Sequence, residues 1–197
     1  MGEAEEYLQA LRKNLATVVR DEGDHLRAAA DLLAAALAEG RSVYEFLGGH
    51  MTPGEAVPSR RGRPELFVPL AGSEADRLRP GDVLVMHNQY GVLAEYVDLA
   101  LTAKERGATL IAITGRADPD AIVRSHPSGT SVADHADLVI DTHLPVGDAA
   151  IAAPAGGPGA CPTSATIQAA LYWALTCGVV ERLAAAGRPV TFPGEEA

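Results

Sequence analysis

The sequence predicts a single α/β domain with a parallel sheet at its centre, and three observations carry that prediction. The stretch from Gly81 to Gly115 reads as strand, helix and strand. Further short apolar, β-branched runs lie on either side of it, alternating with segments of helical periodicity. A length of 197 residues is enough for one such domain with a full core.

A long helical region spans Glu3 to Glu39. Leu8, Leu11, Leu15, Val18 and Val19 form one apolar stripe, and Leu26, Ala29, Ala30, Leu33 and Leu37 form another. Gly23 is placed to divide the region into two helices, and Gly40 to stop it. Residues 1–40 thus read as N-terminal helices and residues 41–197 as the α/β core with a C-terminal helix. Ser42 to Leu47 is the first strand candidate, ending in Gly48-Gly49-His50. Met51 to Arg63 has no clear period and reads as loop. Its cluster Arg60, Arg61 and Arg63 is either a solvated patch or an anion clamp. Glu65 to Leu70 reads as a short edge strand, because Pro69 lacks an amide donor. Gly72 to Pro80 is polar.

In the central unit, Val83 to Met86 is a continuous apolar run, as a strand buried on both faces requires. His87-Asn88-Gln89-Tyr90-Gly91 interrupts it, Leu93 to Arg106 is a helix stopped by Gly107, and Thr109 to Thr114 is the next strand. Such a crossover is right-handed, and ligands of parallel sheets sit beyond the carboxyl ends of the strands. His87 to Gly91 and Thr114 to Asp118 therefore mark the expected site.

Gly115 to Gly129 is loop with room for one helical turn, and Ala136 to Asp141 is the fifth strand. Thr142 to Pro162 is loop, built around Pro154-Ala155-Gly156-Gly157-Pro158-Gly159. Thr163-Ser164 then opens a helix lined by Ile167, Leu171, Ala174, Leu175, Val179, Val180 and Leu183. That helix is apolar nearly all round, so it belongs in the core or in an oligomer interface.

A formal charge of −10 argues against nucleic acid and anionic membrane as partners. No apolar stretch reaches transmembrane length and the N-terminus lacks a signal-peptide core, so a cytoplasmic setting is expected. Cys161 and Cys177 make no disulfide framework. No dinucleotide fingerprint and no Gly-x-x-x-x-Gly-Lys occurs, and no cofactor is expected.

Several stretches together resemble the sugar isomerase (SIS) domain superfamily, and within it a bacterial group known by that domain alone. They are Leu47-Gly48-Gly49-His50, Arg79 to Leu84, Ala103 to Gly107 with Ile111 to Thr114, Ser128-Gly129, Ala136 to Asp141, Gly147 to Ala150, and Pro162-Thr163-Ser164. The resemblance implies a five-stranded parallel sheet of flavodoxin-like order between helices. It also implies a homodimer with sites between subunits, and a sugar or phosphosugar ligand, often isomerised between aldose and ketose. Relatives hold the phosphate in a Ser/Thr-rich turn beside a helix N-terminus. Here that turn is Asn88-Gln89-Tyr90-Gly91, and Met51 stands where a Ser is expected after His50. Heptose phosphate isomerases of the superfamily use a site containing His, Glu and Gln. Gln168 resembles their glutamine, but Thr176 stands where a later histidine would be, so no metal is expected.

Isomerisation through an enediol needs a base working near pH 7 and donors to the developing oxyanion. His50, Glu55, His143 and Asp148 are the catalytic candidates. Gly48, Gly49, Met51, His87, Asn88, Gln89, Tyr90, Thr114, Ser128, Thr163, Ser164 and Gln168 are the candidate ligand contacts. Cys161, just before the last helix, reads as inert. A binding or regulatory module without turnover, or the scaffold recruited to different chemistry, is the alternative function.

Overall fold

A computed structural model describes residues 2–48, 62–116, 122–152, 159–188 and 190–193. In chain order the elements are α1 (Glu3–Asp21), α2 (Gly23–Ala38), β1 (Val43–Leu47), β2 (Val68–Pro69), β3 (Val83–His87), α3 (Ala94–Glu105), β4 (Thr109–Thr114), β5 (Leu138–Asp141) and α4 (Ser164–Ala185). Short 3-10 turns occupy Gly72–Arg77 and Val132–Asp134. The five strands form one parallel sheet in the order β2-β1-β3-β4-β5, which is the flavodoxin-like order.

The strands are apolar on both faces because both faces are covered. Val43, Val83, Val85, Ile111, Ile113 and Ile140 pack with α2 and α4, and Tyr44, Leu84, Met86, Leu110 and Ala112 with α3. Successive residues of β3 and β4 thus alternate between two cores, the period of two that a pleated strand imposes. The contact of α2 with α4 is close: a Cβ on Gly178 would lie 3.0 Å from the Ala30 methyl. One face of α4 is buried within the chain through Ile167, Leu171, Leu175, Val179 and Leu183, while Ala174 and Cys177 on another face are exposed.

Two readings of the sequence shift in detail. The edge strand covers only Val68 and Pro69, opposite Tyr44 and Glu45, while Leu66 and Phe67 turn into the core instead of extending the ladder. The arginine cluster is neither solvated nor a clamp at Arg63, which is buried in a salt bridge with Glu45; Arg60 and Arg61 lie outside the described residues.

Among the described residues no helix is long and apolar enough to cross a membrane. Cys161 and Cys177 are free and exposed.

Candidate functional site

Parallel β3 and β4 end side by side, so the turns that follow them share one edge of the sheet. His87 is the last residue of β3, in register with Leu47 of β1 and Ile113 of β4. Its side chain is 1% exposed. His87 Nδ1 lies 3.2 Å from Gln168 Oε1 on α4. Gln168 Nε2 in turn donates to the carbonyls of Asn88 (2.5 Å) and Ile113 (3.3 Å). Gln168 thereby ties α4 to both strand ends. Removal from water pushes the His87 imidazole down to about 4, more than the bond to Gln168 raises it, so the ring is neutral at pH 7.

Each side chain of the altered turn has an internal partner. Asn88, fully buried, accepts from Thr114 Oγ1 at 2.5 Å, while its Nδ2 is buried without a partner among the described residues. Gln89 Nε2 donates to Asp148 Oδ2 at 2.9 Å. The Tyr90 hydroxyl donates to the Pro145 carbonyl at 2.5 Å, and burial with the nearby Asp148 charge raises its pKa. Gly91 adopts φ +62°, and a Cβ there would come within 2.9 Å of Asn88 Oδ1 and Val132.

Asp148 closes the arrangement. Its Oδ1 accepts from the amides of Thr163 (3.0 Å) and Ser164 (3.1 Å), the free donors at the start of α4. Thr163 stands at the N-cap position but makes no side-chain capping bond, because the Asp148 carboxylate, fifteen residues earlier, has taken the role. Asp148 holds φ +47°, a conformation Asp tolerates better than most residues.

The structure therefore joins Gly48, His87, Asn88, Gln89, Tyr90, Thr114, Asp148, Thr163, Ser164 and Gln168 along one edge. Gly48 enters through its amide, which donates to the His87 carbonyl at 2.7 Å. His143 belongs to a different network: its Nε2 is 3.0 Å from Glu22 Oε1, at the break between α1 and α2. Burial alone would raise Glu22, but bonds from His25, the Asp141 amide and His143 hold it low. Ser128 sits in an exposed turn, bonded to His126 and Thr130. Gly49, His50, Met51 and Glu55 lie outside the described residues.

Two features escaped the sequence reading. Beneath the edge, Arg63 donates to Glu45 Oε1 (2.6 Å) and to the Tyr172 hydroxyl (2.9 Å), and the Tyr172 ring stands 5.9 Å from that of His87. Burial pushes Glu45 up to about 7 against the pull of Arg63. A charge in the middle of the apolar strand Val43–Leu47 was the available signal. A cavity of about 270 Å³ also opens beside Tyr90 and Gly115, with Arg116 and Arg124 in its wall. A larger cleft of about 450 Å³ lies along α3, between Phe46, Ser73 and Tyr96, and holds Glu95 and Asp98. The second cleft takes in none of the edge network. Among the described residues no group of three His, Cys, Asp or Glu could hold a metal ion. Gln168 is moreover spent on His87 and two carbonyls, and the Thr176 hydroxyl on the Tyr172 carbonyl.

This architecture is that of a SIS-domain protein: residues 70–115, which carry β3, α3 and β4, match the SIS domain family. The chain is 30% identical to the UPF0309 protein of Geobacillus kaustophilus over 92% of its own length and 83% of that protein. It belongs to the UPF0309 family. Among solved structures it resembles the phosphoheptose isomerase from Neisseria gonorrhoeae, with TM-score 0.62 and 17% identity over 92% of this chain and 96% of that one. It also resembles the NanR protein of Vibrio vulnificus complexed with ManNAc-6P, with TM-score 0.62 and 12% identity over 94% of this chain and 65% of that one. At these identities the likeness concerns the fold.

Proposed function

We propose that the protein binds a sugar or phosphosugar-like ligand at the carboxyl edge of its sheet and interconverts aldose and ketose forms. The observation that carries this reading is the convergence on that edge of the turns after β3 and β4 and the start of α4, tied together by Gln168 and Asp148. Such bracing keeps a polar site in fixed geometry, which positioning of a reacting carbon requires. The structural neighbours include an isomerase of a sugar phosphate and a protein complexed with a sugar phosphate.

The roles follow from what each group can still do. A neutral, buried His87 is a poor proton acceptor near pH 7 and serves to position the Asn88 turn. Both Asp148 oxygens are engaged, and His143 is held by Glu22. The base then falls to His50 or Glu55, two and seven residues along the chain from Gly48, whose amide is bonded to His87. The scaffold's usual homodimer, with a second subunit completing the site, belongs to the same reading; α1 exposes Leu8 and Val19 as candidate contacts.

One observation favours a second reading, ligand binding without turnover: His87, Tyr90 and Asp148 on the edge are already committed to internal bonds. The two readings separate on incubation with a panel of aldose and ketose phosphates in deuterated water. The isomerase takes up deuterium at the carbon next to the carbonyl, and either His50→Ala or Glu55→Ala abolishes uptake while the protein remains folded. Thermal stabilisation by a sugar phosphate with no uptake assigns the binding role instead.

A further inference from the structure

The phosphate cradle that the SIS resemblance implies is filled from within. At the start of α3, the Ala94 amide donates to Ser125 Oγ at 2.8 Å. At the start of α4, the Thr163 and Ser164 amides are bonded to Asp148. Helix N-termini are the usual places to receive an anion, and both of those on this edge already have acceptors. The side chains of Asn88, Gln89 and Tyr90 are turned to Thr114, Asp148 and Pro145.

Cationic donors instead line the cavity beside Tyr90. Gly115 forms part of its wall, since a Cβ there would come within 3.0 Å of the Tyr90 ring. Arg116 follows directly after Gly115, and its side chain is 63% exposed. Its nearest described carboxylate, Asp141, is 4.0 Å away, at the limit of an ion pair. Arg124 is 22% exposed and already fixed, with Nη1 donating to the Gly129 carbonyl and to Asp134 Oδ2 at 2.9 Å each. Both of those bonds use one nitrogen, so among the described residues the Nε–Nη2 edge of its fork has no acceptor and is the side for a bidentate one. Asp134, the one carboxylate among the described residues of the wall, also accepts from the amide and hydroxyl of Ser131 through Oδ2, so part of its charge is spent locally. Among the described residues, two arginines thus line a small cavity against one engaged carboxylate.

We propose that this cavity receives an anionic oxyacid group of the ligand, a phosphomonoester or a carboxylate, between Arg116 and Arg124. The assignment of a sugar-like ligand rests on the function proposed above, but the anion site has its own test. Arg124, held before binding, loses little side-chain entropy when an oxyanion arrives, and exposed Arg116 supplies the second fork. A cavity of about 270 Å³ suits one such group with a few attached carbons.

The test is a titration of the full chain with sodium phosphate and, separately, sodium acetate at constant ionic strength, read by the NMR signals of the arginine side chains and the backbone amides. Saturable shifts are expected at Gly115, Arg116 and Arg124. Arg116→Gln should weaken binding by about tenfold or more and Arg116→Lys by less, because lysine keeps the charge but not the fork. The control Arg188→Gln, on an exposed residue after α4, leaves the affinity unchanged. Saturation by phosphate but not acetate identifies an ester ligand, and the reverse a carboxylate. The site is overturned if neither anion saturates these signals, if Arg116→Gln binds as tightly as the natural chain, or if the shifts centre on Thr163 and Ser164. Deuterium uptake that persists while these titrations fail removes the anion site and leaves the isomerase reading. Anion binding without any uptake does the reverse.

Discussion

At His87, desolvation decides the protonation state. The unfolded chain takes up this proton near pH 6.5 and the folded chain only near 4. The group therefore stabilises the fold above pH 6.5, and that stability is lost as pH falls from 6.5 towards 4, by about 3 kcal/mol in all. Urea unfolding of the natural chain and of His87→Gln across pH 4 to 7 checks this. The stability difference between the two should grow with pH and level off above 6.5; a flat difference would place a solvated, unperturbed ring at the end of β3, and one that falls with pH a charged ring. Neutrality at this position was not legible from the sequence, where a histidine closing a strand reads equally as ligand contact or structural bond. Its burial depends on α4, whose Gln168, 81 residues later, and Tyr172 lie against the ring.

Among the elements, α4 has the least ordinary beginning. Thr163-Ser164 looks like a self-capping start, yet the cap comes from Asp148, fifteen residues earlier. Asp148→Ala should lower stability by about 1–2 kcal/mol, the usual cost of a lost cap. Asp148→Asn, which keeps an acceptor, should recover most of it. Chemical denaturation measures both, and an unchanged midpoint for Asp148→Ala would mean that the α4 amides find another acceptor. Helices and strands were legible wherever burial is periodic: the division at Gly23, the run Thr109–Thr114 and the stop at Gly107 all follow from local chemistry. Contacts between distant loops left no such trace. The pairing of Arg63 with Glu45 inverts the loop reading of that arginine, because burying one charge next to another depends on which strand the chain returns to.

For the whole molecule, the parallel sheet and its strand order follow from the alternation of strands and helices together with the SIS resemblance, since a crossover has one favoured hand. The sequence reading placed its candidate residues at the carboxyl edge of the sheet without a mechanism. Most of its expected residues lie in one hydrogen-bonded network, whereas His143 and Ser128 are drawn into others by Glu22 and His126. The same sheet edge carries the turn after β3, the Arg116 cavity and the start of α4, and the proposed function has one ligand covering all three. Amide hydrogen exchange with and without saturating sugar phosphate tests that most directly. Protection concentrated at residues 88–92, 114–116 and 163–168 is the expected result. Protection confined to α1, to the cleft along α3 or to the amino edge of the sheet would contradict it.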